Sequence, residues 1–213
     1  MGIPVMVLGE SGTGKSTSLR NFGPDEVAVI NVAGKPLPFR NKLHVAKCDS
    51  YGMIVKTLVG RPDIPAFVID DAQYLMANEF MRRSDERGYD KFTEIAKNFW
   101  SLVLETVAQK MPDNQIVYFL MHTDTADDGR IRAKTIGKML NEKITLEGLF
   151  TIVLRTNVSD GVYTFRTVNS GSDTVKTPMG MFSANEIDND LKAVDTAIRE
   201  YYGIETKKEE PAA

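Results

Sequence analysis

The chain opens on an unbroken apolar run, "IPVMVLG", of strand length and bounded by Pro4 and Gly9. A strand with no polar alternation is one buried on both faces, as in the middle of a parallel sheet. Similar runs return at "EVAVINVAG", "KLHVAKC", "AFVIDD" and "QIVYFLMHTDT", with helical or turn-rich stretches between them. This alternation predicts an α/β fold, a mainly parallel central sheet flanked by helices. From Tyr89 to Gln109, Phe92, Ile95, Phe99, Leu102 and Val103 recur at helical spacing and predict one long helix with a buried stripe. After about residue 148 the texture changes to "LFTIVLRT" and "GVYTFRTV", a β-hairpin turning near Asp160-Gly161. "SANE" places Ser183 and Glu186 at capping-box spacing, so the last amphipathic helix is expected to start there and to end at Gly203. One domain over 1–205 is expected, followed by a solvated, flexible tail at 206–213 that has no apolar stripe.

Composition narrows the function classes. With 42% hydrophobic and 26% charged residues in 213, the chain suits one ordinary globular domain. A net charge of -3 argues against coating nucleic acid through bulk positive charge, so any such contact must come from a local basic patch. Cys48 is the single cysteine, and the N-terminus lacks the basic start and cleavable core of a secretory signal. No segment approaches the apolar length of about 20 residues that spans a bilayer. A cytoplasmic address without membrane contact is expected.

The chemistry concentrates at "GESGTGKST". Gly9, Gly14, Lys15 and Ser16 satisfy G-x-x-x-x-G-K-[ST] between a buried strand and an expected helix. In such a loop the backbone of Gly9, Glu10, Ser11, Gly12, Thr13, Gly14, Lys15, Ser16 and Thr17 curls around phosphates. Lys15 reaches the β- and γ-phosphates and the Ser16 hydroxyl ligates Mg²⁺. ATP and Mg²⁺ are the expected cofactors. "AFVIDD" carries Asp70 and Asp71 to a strand end, Asp70 to hold the metal and Asp71 to orient or deprotonate water, with helix capping as the plainer alternative. "QIVYFLMHTDT" delivers His122, Thr123 and Asp124 to the same edge, where His122 is a candidate γ-phosphate sensor or a satisfied structural group. His44, within "KLHVAKC", reads as structural.

A phosphate loop, a strand ending in two acids, a polar strand end and a β-hairpin together resemble the RecA-type ATPase core. The likeness is greatest to the compact phage-encoded ATPases of single-strand annealing and recombination, and it spans most of the chain. It implies Mg²⁺-dependent ATP hydrolysis by a homo-oligomer acting on single-stranded DNA, with phage recombination or replication proteins as possible partners. It also implies that the loops after the acidic and sensor strands face that DNA. In this sequence those loops carry Arg82, Arg83, Arg87, Tyr89 and Lys91, and then Arg130, Arg132, Lys134 and Lys138, for phosphate contact and base stacking. A cation near the C-terminal hairpin that reaches a neighbouring subunit's nucleotide corresponds to Lys176. The family's glutamate after the second strand is absent, since Asn31 stands there; the base falls to Asp71 or to Asp49. A small-molecule or nucleotide kinase and an AAA+-like switch or loader are the competing readings.

Overall fold

Alternation along each strand explains why the apolar runs are unbroken. The computed structural model describes residues 1–204, and within them β1 (Ile3–Leu8), β2 (Ala28–Asn31), β3 (His44–Lys47), β4 (Ala66–Asp70) and β5 (Ile116–Met121) lie side by side. Met6, Leu8, Phe67, Ile69, Phe119 and Met121 fill one face of this sheet, while Val5, Val7, Ala66, Val68, Tyr118 and Leu120 fill the other. Both faces are covered, so no polar position is tolerated between them.

The covering elements are helical. On the first face lie α1 (Tyr51–Gly60), α2 (Gln73–Arg82) and α3 (Asp90–Ser101), contributing Ile54, Leu58, Leu75, Met76, Ile95 and Phe99. The second face is covered by a short 3-10 helix at Ser16–Asn21 and by α4 (Leu191–Tyr202), through Leu19, Leu191, Val194 and Ile198. A small antiparallel ribbon, β6 (Thr123–Thr125) with β7 (Ile131–Ala133), stands apart from the main sheet.

The main sheet is completed by β8 (Ile152–Ser159), β9 (Val162–Arg166) and β10 (Glu186–Asp188). Its order is β10-β9-β8-β1-β5-β4-β2-β3. From β8 to β3 the strands run parallel, and β9 and β10 extend that array antiparallel. The fold is therefore α/β with a large, mostly parallel central sheet flanked by helices, as the alternation of runs predicts. β1 is central, between β5 and β8, so whatever follows Leu8 is rooted in the best-paired part of the sheet.

A buried polar network ties α4 to that centre. Tyr118 Oη donates to Asp195 Oδ1 at 2.9 Å, and Arg199 Nε donates to Asp195 Oδ2 at 2.7 Å. The rest of the Arg199 guanidinium bonds the carbonyls of Asn114 and Pro65. Each charge is paired and hydrogen-bonded, the condition under which burial is tolerated.

Several boundaries differ from the sequence reading. The hairpin turns at Asp160-Gly161 as expected, both with positive φ (51° and 78°). "SANE" does not cap a helix, because Glu186–Asp188 pairs with β9 as an edge strand. Asp190 is the real cap of α4, its side chain accepting from the Lys192 and Ala193 amides, and Gly203 ends the helix in a left-handed conformation (φ 65°). The long helix is α-helical only to Ser101 and π-helical over Leu102–Ala108. "QIVYFLMHTDT" breaks at His122, its end turning away as β6. β3 is an exposed edge, so His44 lies at the surface and not in a strand interior. The expected tail, 206–213, lies outside the described residues, as does residue 205. Among the described residues no helix is long and apolar enough to cross a membrane.

Candidate functional site

The glycine-rich loop leaves the C-terminal end of β1, where parallel strands gather polar ends at one edge. Gly9 donates its N–H to the Met121 carbonyl at 3.1 Å, so the loop starts tied to β5. Its other flank is held by β8: a Cβ on Gly9 would lie 1.9 Å from Thr156 Oγ1. Thr156 Oγ1 also meets the Thr13 hydroxyl at 2.6 Å. Gly12 and Gly14 have φ of 79° and 92°, the left-handed conformation that side chains resist. Glu10 and Ser11 are exposed on the outer rim, whereas Thr13, Ser16 and Thr17 are half-buried on the inner side. The helix expected after the loop is only the six-residue 3-10 turn, entered by Ser18 N–H bonds to the Gly14 and Lys15 carbonyls.

Lys15 curls back under this loop. Its Nζ donates to the Gly9 carbonyl at 2.8 Å and the Glu10 carbonyl at 2.7 Å, and the residue is 6% exposed. Burial lowers its pKa to about 8, against the pull of Asp71 and Asp70. The charge is held in place by carbonyls and distant acids, with no direct carboxylate partner among the described residues.

Ser16 joins the loop to β4. Its Oγ donates to Asp70 Oδ1 at 2.9 Å and to Oδ2 at 3.1 Å. Asp70 is buried at the strand end, and burial raises its pKa despite the Ser16 bond. A hydroxyl and a buried carboxylate side by side form the hard-oxygen pair that Mg²⁺ takes when phosphates and water complete its shell. Among the described residues no cluster of three or more His, Cys, Asp or Glu is placed to hold a metal ion.

Asp71 turns the chain sharply into α2 with φ of 59°, an uncommon conformation for a residue with a side chain. Neither it nor Asp70 caps α2, whose N-cap is Ala72. Instead Asp71 Oδ1 lies 3.2 Å from His122 Nε2 and Oδ2 accepts from Lys35 Nζ at 3.0 Å. Burial pushes its pKa up, but bonds from His122 and Lys35 outweigh that and hold it at about 2. Held on both oxygens, the Asp71 carboxylate is a group that could orient a water or take its proton. His122 is fixed from its backbone, whose N–H donates to Gln73 Oε1 at 3.1 Å, and its ring stands edge-on to Tyr74. A cavity of about 180 Å³ opens beside it, lined in part by Gln73, Tyr74, Lys134 and Thr135.

Asn31 fills the position where a glutamate was sought, and it shapes a turn. Its Oδ1 accepts from the Gly34 N–H at 2.7 Å and its Nδ2 donates to the Lys35 carbonyl. This turn presents Lys35 to Asp71. Asp49, the alternative base, is engaged by Arg82 at 2.6 Å and Asn78 at 3.0 Å, bonds that lower its pKa.

The basic loop residues divide sharply. Arg83 is clasped by Glu79, Glu86 and Glu94, and Arg82 by Asp49. Lys91 is buried, with Nζ on the carbonyls of Arg83, Ser84 and Glu86, and so serves the loop's own structure. Arg87 and Tyr89 are exposed, Tyr89 by 87%. Arg130 pairs with Asp128 and Lys138 with Glu142 at the surface; Arg132 is half-buried and Lys134 exposed. Lys176 bridges to Val153 through its backbone. That level of β8 aligns with Met6, two residues short of the end of β1, so within one chain Lys176 is not gathered with Lys15, Asp70 and Asp71.

Sequence reasoning missed Thr156 and Lys35. The first carries no local signal, since only the register of β8 on β1 brings it to Gly9. The second was readable in "NVAGKP", where Asn31 and Gly34 bracket a turn at the end of a strand. No protein-family model matches the chain, and a search of curated proteins finds none that matches it significantly.

Proposed function

We propose that the protein is a Mg²⁺-dependent, RecA-like P-loop ATPase that works as an oligomer on single-stranded DNA. The observation that carries this reading is the meeting of Ser16 and Asp70, which links a glycine-rich loop on one strand to a buried carboxylate two strands away. The β-phosphate would lie in the curl of residues 9–17, against backbone N–H groups and Lys15. Ser16 and Asp70 would hold Mg²⁺, which when bound neutralises phosphoryl charge.

The reaction forms a bond from a water oxygen to the γ-phosphorus as the bond to the β,γ-bridging oxygen breaks, giving ADP and phosphate. Asp71 orients the water. The proton passes to Asp71 or to a γ-phosphoryl oxygen. His122, beside Asp71, would sense the terminal phosphoryl group. Lys176 would act on a neighbouring subunit's nucleotide, which makes turnover depend on assembly.

For the DNA, Arg87, Tyr89 and Lys134 are the exposed candidates that form no ion pair among the described residues. Arg130 and Lys138 keep their surface pairings, which phosphates can displace. The test is ATP hydrolysis with and without single-stranded DNA across a wide protein concentration range. Free phosphate, stimulation by DNA and a specific rate that falls on dilution are expected. A phosphorylated small-molecule acceptor would instead indicate a kinase, and rates constant per subunit would remove the trans-acting cation.

A further inference from the structure

Lys35 has a carboxylate partner, a fixed turn beneath it and an exposed side chain. Asn31 locks the backbone of residues 31–35, and the Val32 N–H donates to the Asp70 carbonyl at 3.1 Å. The turn is thereby stitched to the strand that bears both acids. From it the Lys35 side chain, 63% exposed, reaches over the Tyr74 ring to Asp71. Lys15 and Lys35 both act electrostatically on the Asp70–Asp71 pair, Lys15 from within the loop and Lys35 from the solvent side.

We propose that Lys35 is a ligand for the γ-phosphoryl group, held on Asp71 until a nucleoside triphosphate arrives and then transferred to it. The proposal rests on the triphosphate reading of the loop. With the β-phosphate at Lys15 and the metal at Ser16 and Asp70, the terminal phosphoryl group lies toward Asp71. Two negative groups would then face one ammonium on a flexible stem. A phosphoryl group offers more charge and more acceptor oxygens than one carboxylate, so it wins the ammonium. A diphosphate lacks that group and leaves Lys35 on Asp71.

The exchange changes Asp71 as well. Losing Lys35 frees Oδ2 and leaves Oδ1 beside His122, so one carboxylate oxygen is opened to a hydrogen bond from water. The water-orienting group is thus strengthened only when the substrate's terminal phosphoryl group is present. Lys35 therefore distinguishes triphosphate from diphosphate, with Asp71 as the competing ligand.

The experiment compares the affinities of ADP and of a non-hydrolysable β,γ-imido analogue of ATP, both with Mg²⁺, by calorimetry. Lys35→Met is expected to weaken the triphosphate analogue at least 10-fold while leaving ADP within about twofold, and Lys35→Arg to recover most of the loss. Asp71→Asn, which removes the competitor, is expected to tighten the analogue relative to ADP. Lys15→Ala is the reference and should weaken both nucleotides. If Lys15→Ala behaves so but Lys35→Met shifts both nucleotides equally, or neither, the γ-phosphoryl role of Lys35 is overturned while the loop assignment stands. A wild-type protein that binds neither nucleotide overturns both.

Discussion

Thr156 Oγ1 occupies the space that a Cβ on Gly9 would need, 1.9 Å from where that atom would lie. The first glycine of the loop is therefore dictated by a neighbouring strand and not by its own backbone angle, which is unlike the case of Gly12 and Gly14.

Gly9→Ala is expected to destabilise the protein by about 1–3 kcal/mol, the usual scale of overpacking. In a chain of this length that lowers Tm by several degrees. Thr156→Ala in the same chain should return most of the loss. A double-mutant cycle by urea denaturation checks this, since strictly additive costs would show that the two residues do not collide.

Lys15 should make nucleotide binding depend on pH. Its folded pKa is lowered to about 8, so the free protein loses the charge as pH rises through that value, and an anion binds only with proton uptake. Affinity is expected to be flat below about pH 7 and to fall toward tenfold per pH unit above about 8. Calorimetry in buffers of different ionisation enthalpy reads the proton directly, and a flat profile from pH 7 to 9 would contradict it.

Asp71→Asn should keep nucleotide binding and slow turnover by about 100-fold, the scale of a lost group at the attacking water. The same substitution tests stability. A carboxylate lowered from 3.8 to about 2 contributes stability that is fully present above about 4 and is lost as pH falls through 2. Urea midpoints of wild type and variant should therefore differ most at neutral pH and converge toward acid.

Arg199→Met removes the cation from beneath Asp195 and Tyr118. The carboxylate is left buried beside a phenol, and a loss of about 3–5 kcal/mol is expected. Asp195→Asn with Arg199→Met should cost less than Arg199→Met alone, because no unpaired charge remains. Equal stability of the two variants would mean the site hydrates on losing Arg199.

The fold class was legible because buried parallel strands leave no polar gaps, and "IPVMVL" or "IVYFLM" can hardly be anything else. Glycine-rich spacing likewise marked Lys15 and Ser16. What stayed hidden depends on register and on competition between local signals. Ser183 and Glu186 satisfy a capping pattern, yet Glu186 pairs with Arg166 across a strand and Asp190 takes the cap. Arg83 and Lys91 read as free cations in a one-dimensional chain; three acids and three carbonyls claim them once it folds. Asn31 stands where an acid was expected, and the turn signal in "NVAGKP" is what its bonds to Gly34 and Lys35 fulfil.

The strand order also sets how each part of the site would respond to slow opening of the native state. Amides of β1, hemmed by β5 and β8, should exchange with deuterium last, so the foundation of the glycine loop persists through partial unfolding. The turn carrying Lys35 hangs from β2, next to the exposed edge strand β3, and should lose its protection much earlier. On the proposed triphosphate reading, mild heating would then disable discrimination at the terminal phosphoryl group while the curl of the glycine loop remains formed.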